Sequence, residues 1–189
     1  NGLTKISLID KTGAGQNFPI LSNLHEKFID GKVLSEDGEI ELELDSLKNS
    51  MATITQSIAA NGFDSVEDYN KKTDEVPQQY QIICVSNFPT GFNKKATENL
   101  LALMESGPKA GIYVLISLSL NPSYGLNQSI NGLTLNDFIK QLSLFEISDR
   151  PNEYTHNKWV SENAELYKIP LETEKDFKNL VNNIYAIDF

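Results

Sequence analysis

Tyr80-Gln81-Ile82-Ile83-Cys84-Val85 is a short apolar run that decides the fold class of this chain. A run of this length suits a β-strand that is covered on both faces. Asn93–Ser106 then carries apolar residues at helical spacing and ends at Gly107-Pro108, and Gly111–Leu118 is a second apolar strand. A strand, a helix and a strand with short links form a βαβ unit. Two neighbouring buried strands predict an α/β fold with a mainly parallel sheet flanked by helices.

The segments upstream of this unit predict further extended structure. Lys5–Ile9 is favourable for a strand, which the turn residues of Asp10–Gly15 then end. Glu39–Leu44 alternates strictly between acidic and apolar residues, which predicts a half-exposed strand or an extended lead-in. Asp45 can then cap the helix that follows.

Two helices are predicted between Asp45 and the central strand. The first has apolar residues at helical spacing, namely Leu47, Met51, Ile54 and Ile58. Ser65 begins a shorter helix, with Asp68 at the capping-box position. These helices supply the layers that a parallel sheet needs on its faces.

The pattern continues more weakly towards the C-terminus. Asn121–Gly132 predicts a polar loop, Thr134–Leu142 a helix, Leu144–Ile147 a short strand, and the residues from Thr173 onwards a final helix. We therefore expect one α/β domain over residues 1–189, with residues 121–189 as a C-terminal extension.

Composition excludes several classes of protein. The 189 residues include 16 basic and 26 acidic side chains, which gives a net charge of −10 and disfavours an independent reader of duplex DNA. One cysteine excludes an internal disulfide framework and a zinc finger, and favours a reducing compartment. No apolar run approaches the roughly 18 residues of a membrane span. The chain starts almost directly with a strand, so we expect it to be a piece of a longer protein.

Asp10 and Ser117 are candidate site residues because each follows a predicted strand. Ligands of open α/β sheets bind at the carboxyl ends of strands. Gly13-Ala14-Gly15 suggests a phosphate-binding loop, but it lacks a third glycine at the required offset and a Gly-Lys-Ser/Thr sequence. A flexible turn with a solvated Asp10 is the favoured interpretation. A hydroxyl such as that of Ser117 more often satisfies local backbone groups.

The histidines and the cysteine offer weaker candidates. His25 and His156 have no carboxylate partners at metal-ligand spacing, which favours surface histidines. Cys84 lies inside an apolar strand, which favours an inert buried thiol. From the residues alone, the chain has a fold class and no self-contained active site.

Several motifs, in order, resemble the motor domain of the FtsK/SpoIIIE family of bacterial DNA translocases. Ser7-Leu8-Ile9-Asp10-Lys11 resembles the family's strand that ends in Ile-Asp-Pro-Lys. Ile82–Val85, followed by Ser86-Asn87, corresponds to the Walker B strand, and Lys109–Ile116 is similar to the Arg-Ala-Ala-Gly-Ile-His strand after it. The resemblance covers roughly residues 5–120.

This resemblance implies part of a RecA-like P-loop NTPase core, in the bacterial cytoplasm. It places Asp10, Ser86, Asn87 and Ser117 at cofactor-binding positions, by their place at the ends of strands. The chain has no Walker A motif, and Ser86-Asn87 replaces the acidic pair of Walker B, so we predict no catalytic residue and no metal ligand in this chain. ATP and Mg²⁺ are expected only if the full-length protein supplies a Walker A motif.

Three hypotheses for the function follow. The first is a fragment or degenerate module of an FtsK/SpoIIIE-like ATPase, with a structural or regulatory role in a larger DNA-handling assembly. The alternative is a non-enzymatic α/β protein-interaction domain, and the third is a small-molecule enzyme, which only Asp10 supports. The expected partner is a neighbouring module of the same protein or a second copy of the chain. DNA contact is expected only within a larger assembly.

Overall fold

The computed structural model describes residues 4–19, 21, 28–29, 32–118, 129–134 and 137. All of these belong to one compact unit, Asn1–Phe138. The strand expected at Leu144–Ile147, the helix expected from Thr173 and most of the 121–189 extension lie outside the described residues. A single domain over residues 1–189 stays a prediction.

Three parallel strands form the central sheet, as the sequence predicts. They are β1 (Thr4–Ile9), β2 (Tyr80–Phe88) and β3 (Ile112–Leu118), in the order β1-β2-β3. Ile9 pairs with Val85, which pairs in turn with Ile116. Single parallel bridges from Ile29 and Leu34 extend the sheet beyond β1. The parallel α/β fold class is therefore confirmed.

The first helix is longer than predicted. Helix α1 spans Asp37–Ala60, so a strand at Glu39–Leu44 and a cap at Asp45 are both wrong. Ile40 and Leu44 are buried one helical turn apart, whereas Leu42 between them is 72% exposed. Within the alternating pattern, Ile40 and Leu44 are also spaced four residues apart, and this helical spacing continues into the apolar residues that follow. The residues therefore form one buried face of a helix and not one face of a strand.

The next two helices each begin directly after a residue whose side chain caps them. Helix α2 (Val66–Lys72) starts after Ser65, whose Oγ accepts a hydrogen bond from the backbone N–H of Asp68 at 3.1 Å. Helix α3 (Lys94–Ser106) starts after Asn93, whose Oδ1 accepts one from Ala96 N at 2.8 Å. Each side chain satisfies one of the unpaired N–H groups at a helix start.

The two faces of the sheet are covered differently. On one face Ser7 of β1 donates a hydrogen bond to Glu43 of α1 at 2.8 Å, so α1 lies over this face. On the other face Leu8 and Cys84 form a buried cluster with Ile29. Partly buried side chains of the segment between β1 and α1 pack against that cluster, namely Phe18, Leu21 and Val33. The cover on this second face therefore comes from a connecting segment.

Strand β3 is not covered on both faces as expected for a buried parallel strand. Tyr113 and Leu115 remain 41% and 61% exposed. Leu115 is in register with Cys84, so it belongs to the face that the segment between β1 and α1 covers over β1 and β2. That cover does not extend to β3.

A small hairpin follows near the end of the described chain. Strands β4 (Ser129–Ile130) and β5 (Leu133–Thr134) pair antiparallel around Asn131-Gly132. The loop predicted up to Gly132 is therefore wrong over Ser129–Ile130, and Thr134 belongs to β5. Asp137, inside the helix predicted over Thr134–Leu142, is helical, and the rest of that helix lies outside the described residues. Asn131 and Gly132 both have positive φ, 50° and 90°, as a tight hairpin turn requires.

Candidate functional site at the carboxyl edge of the sheet

The sheet brings three of the predicted site residues to one edge. Asp10, Ser86 and Ser117 each directly follow one member of the registered set Ile9, Val85 and Ile116. Because the strands are parallel, these positions share the carboxyl edge, and the expected juxtaposition is confirmed. Asp10 and Ser86 are buried, whereas Ser117 is exposed. Whether these residues bind a cofactor stays a prediction.

Asp10 is surrounded by its own loop. Its Oδ1 accepts hydrogen bonds from Gly13 N at 2.9 Å and Asn17 Nδ2 at 2.8 Å. Its Oδ2 accepts from Gly15 N at 3.0 Å and Asn17 N at 3.1 Å. The residue is 0% exposed, so the expectation of a solvated aspartate in a flexible turn is wrong. The carboxylate organises the turn because a buried charge must be hydrogen-bonded.

The same contacts determine the protonation of Asp10. Burial raises the pKa of the carboxyl, but hydrogen bonds from Asn17, Gly13 and Gly15 act in the opposite direction and together hold the pKa below its ordinary value. Asp10 is therefore a carboxylate at neutral pH.

Asn87, at the other predicted position on β2, makes a structural contact. The pairing of β2 with β3 shifts between Val85 and Phe88, and Asn87 within this irregularity has a φ of 52°. Its Nδ2 donates a hydrogen bond to Thr12 Oγ1 at 2.9 Å. The Asn87 side chain thus ties the end of β2 to the loop that Asp10 organises.

Lys11, next to Asp10, contacts both the start of α1 and the turn after β2. Its Nζ lies 2.9 Å from Asp37 Oδ1 at the start of α1. A Cβ added at Gly91, which has a φ of 83°, would lie 2.8 Å from Lys11 Cγ. Glycine at this position therefore allows the turn after β2 to approach the Lys11 stem.

These residues do not fit a bound Mg–nucleotide. The oxygens of Asp10 already accept four hydrogen bonds from the loop. Ser86 and Asn87 are neutral, so they supply neither metal-binding charge nor a base that orients water. Within the described part of the chain, no three His, Cys, Asp or Glu residues are grouped to hold a metal ion.

The remaining candidates add no chemistry at this edge. Cys84 is buried, and its burial raises the pKa of the thiol to about 11, which favours the inert protonated form. His25 and His156 lie outside the described residues.

Sequence reasoning missed Thr12 and Asn17. Asn17 supplies two of the four hydrogen bonds to Asp10, and Thr12 receives the bond from Asn87. The available signal was the composition of the turn, because Asp, Thr and Asn side chains interspersed with Gly recur where a loop is held by side-chain to backbone hydrogen bonds.

Comparison with known proteins gives structural matches only. No protein-family model matches the sequence, and no curated protein does so either. Among solved structures, the pCW3 conjugation coupling protein TcpA with ATPγS matches at a TM-score of 0.51 and 17% identity, over 61% of this chain and 34% of TcpA. The cytoplasmic domain of the type VII secretion ATPase EccC from Thermomonospora curvata matches at 0.51 and 14% identity, over 75% of this chain and 16% of EccC.

These matches define the class of fold. The chain shares a parallel α/β fold with part of each matched structure, and these structural neighbours are ATPases of the FtsK/SpoIIIE family. It spans about a third of the matched TcpA chain and about a sixth of the matched EccC chain. Among the described residues, no helix is long and apolar enough to cross a membrane.

Proposed function

We propose that this chain is a nucleotide-inactive part of an FtsK/SpoIIIE-type ATPase, with a structural or regulatory role in a larger assembly in the bacterial cytoplasm. The carboxyl edge of the sheet carries this proposal. At the strand ends that the resemblance places beside a nucleotide, this chain has an aspartate bound by its own loop and a Ser86-Asn87 pair without charge, and it has no Walker A motif.

The exposed face of β3 supports docking on the rest of an ATPase fold. Parallel strands are normally covered on both faces, yet Tyr113 and Leu115 are open to solvent. The matched neighbours contain far more chain than this one, so the fold has other parts that could cover this face. The occupant we propose is a neighbouring ATPase module of the same protein.

Calorimetric titration of the chain with MgATP tests the loss of nucleotide binding. We expect no heat of binding, since the chain offers no Walker A lysine for the β- and γ-phosphates and no acidic pair for Mg²⁺. A titration with MgCl₂ alone provides the blank. Micromolar affinity for MgATP would contradict the proposal.

Direct DNA binding by this chain is not part of the proposal, because its paired lysines are already engaged. Both adjacent lysine pairs make ion pairs, which are Lys71–Glu67, Lys72–Asp68, Lys94–Glu98 and Lys95–Glu41. With a net charge of −10, few phosphate contacts remain to release counterions. Fluorescence anisotropy with a labelled duplex at about 0.15 M salt should show no binding. A sub-micromolar, salt-sensitive signal would restore a direct role on DNA.

The second candidate function is a non-enzymatic protein-interaction domain. The exposure of Leu115 favours it as well, because an apolar side chain in the middle of a strand face is a usual contact for a partner. The two functions predict different partners, which are an ATPase module of the same protein for the first and a second copy of the chain for the second. Co-purification with an ATP-hydrolysing module of the same protein supports the first function, whereas stable self-association alone supports the second.

A further inference from the structure

Strand β3 has a strand neighbour on one side only, within the part of the chain that the structure describes. The strand order there is β1-β2-β3, and we call the side of β3 that faces away from β2 its open side. β3 contains no charged residue, no proline and no glycine. Natural edge strands usually carry charges, prolines or bulges, because an unprotected edge is a template for another strand. β3 lacks such protection.

The hydrogen bonding to β2 shows which backbone groups of β3 point to the open side. Gln81 N–H donates to Gly111 O at 2.9 Å, so this carbonyl points at β2. Backbone groups of successive residues in a strand point to opposite sides. The N–H and C=O of Leu115 therefore point at β2, whereas those of Val114 and Ile116 point to the open side.

The exposed side chains of β3 form a short row centred on Leu115. Tyr113, Leu115 and Ser117 alternate along the strand and are all exposed. A two-fold axis at Leu115 would place Leu115 opposite Leu115 of a second, antiparallel copy, and Tyr113 opposite Ser117 of that copy. The central pair is then of the type without hydrogen bonds, in which opposite side chains come closest. Val114 and Ile116 form the hydrogen-bonded pairs on either side of it.

We propose that the open side of β3 pairs antiparallel with the open side of β3 in a second copy of the chain, in a register centred on Leu115. The two three-stranded sheets then form one continuous sheet. This inference goes beyond the proposed function, which concerns the occupant of β3 in the full-length protein. The isolated chain has no neighbouring module, and a second copy takes the same place.

Charge favours a second copy as the occupant. The chain has a net charge of −10, yet the exposed row of β3 is uncharged. A strand with charged side chains at these positions would have to desolvate them against Leu115 and Tyr113, which costs free energy. A second copy brings the same uncharged row. The general repulsion between two acidic chains remains, and salt screens it.

Sedimentation velocity of the wild-type chain tests the association without any variant. One pair of short strands buries less surface than a standard interface, so we expect a weak dimer with a dissociation constant of about 10 to 100 µM. Raising NaCl from about 0.05 M to about 0.5 M should lower this constant by about twofold or more, because it screens the repulsion. A monomer at all concentrations up to about 500 µM, or a dimer that weakens with salt, would overturn the proposal.

Disulfide trapping tests the register. In the proposed pair the Cα atoms of the two copies of Leu115 lie about 4.5 Å apart, within the range of a disulfide. The two copies of Tyr113 lie on opposite sides of the axis, roughly 13 Å apart along the strands. Under mild oxidation, Leu115→Cys should therefore form about tenfold more disulfide-linked dimer than Tyr113→Cys. Equal trapping of both variants, or no trapping of Leu115→Cys, would overturn the proposal.

A mixture of two variants gives a second test of the same register. Tyr113→Cys chains mixed with Ser117→Cys chains should form linked dimers, because these two positions lie opposite each other in the pair. The native Cys84 does not compete, since it is buried and its thiol stays protonated. Trapping of the mixture no stronger than that of Tyr113→Cys alone would contradict the register.

The measurements separate this inference from the proposed function. MgATP binding by a dimeric wild-type chain would reject the proposed function and leave the pairing of β3 intact. A monomeric wild-type chain without MgATP binding would reject the pairing and leave the function intact. If the cysteine variants do not fold, sedimentation of the wild-type chain still decides.

Discussion

The carboxyl edge of the sheet and the outer face of β3 are opposite in character. At the edge, Asp10 is buried and each of its carboxylate oxygens accepts two hydrogen bonds. On β3, Tyr113 and Leu115 are apolar or aromatic and remain exposed. The Asp10 carboxylate thus finds all its hydrogen-bond partners within the chain, whereas the side chains of Tyr113 and Leu115 are left uncovered.

This difference separates a region whose contacts are all made within the chain from a region that another surface can still cover. A buried carboxylate with full hydrogen bonding needs no ligand, because its desolvation is already offset by its own loop. An exposed Leu115 on a parallel strand gains free energy only when another surface covers it. The carboxyl edge is therefore filled by the chain's own groups, and the contact surface that we propose lies on β3.

The largest expected effect is at the carboxyl edge. Asp10→Asn removes the charge and turns a donor towards the N–H groups of the loop, so we expect a loss of about 2 kcal/mol in the free energy of unfolding. Urea denaturation measures it, with Asp64→Asn as the matched control at an exposed position. A loss of the same size in both variants would show that Asp10 has no special role.

Acid should weaken the same region. Although burial alone would raise it, the net pKa of Asp10 in the folded chain is below the unfolded value of 3.8. Its contribution is therefore fully present above pH 3.8 and is lost as the pH falls through the folded pKa. The stability difference between wild type and Asp10→Asn should narrow in this acid range. A difference that is constant down to the acid unfolding of both proteins would contradict the assignment.

A smaller effect is expected at the contact between β2 and the loop. Asn87→Ala removes the side-chain amide but keeps a Cβ at a φ of 52°, which alanine adopts less readily than asparagine. The free energy of unfolding should fall by about 1 kcal/mol. Asn87→Gly removes the same bond to Thr12 but accepts this backbone conformation, so its cost should stay below about 0.5 kcal/mol. Urea denaturation of the pair separates backbone strain from the hydrogen bond. Equal losses would show that the Thr12 contact dominates.

The smallest effect on stability is expected on β3. Leu115→Gln should change the free energy of unfolding by less than about 0.5 kcal/mol, because Leu115 is 61% exposed. The same substitution should weaken self-association or docking, which sedimentation velocity measures. Leu42→Gln is the control, since Leu42 is an equally apolar residue exposed on α1. If both variants associate like wild type, β3 is not the contact surface.

The sequence predicted the sheet well because its signals are local. The apolar run at Tyr80–Val85, the cap at Ser65 and the helix over Asn93–Ser106 each depend on neighbouring residues, and the structure confirms all three. The strand predicted at Glu39–Leu44 was wrong because, over so few residues, the same apolar positions fit both strand alternation and helical spacing. Only packing of Ile40 and Leu44 against the core distinguishes the two.

The site was predicted in position but not in character. The parallel order of the strands was sufficient to place Asp10, Ser86 and Ser117 at one edge. Whether Asp10 faces solvent or its own loop depends on the path of the backbone through Gly13 and Asn17, which no local propensity determines. The exposure of β3 likewise depends on how far the cover from the segment between β1 and α1 extends across the sheet.

Residue-resolved NMR during a titration with MgATP tests the filled carboxyl edge most directly. The account predicts no saturable shift of the amide signals of Gly13, Gly15, Asn17 and Asn87, because the donors of the loop are held by Asp10 and the end of β2 is held by Thr12. Saturable shifts confined to these four amides would contradict it, since they would place a nucleotide at the edge that we describe as filled.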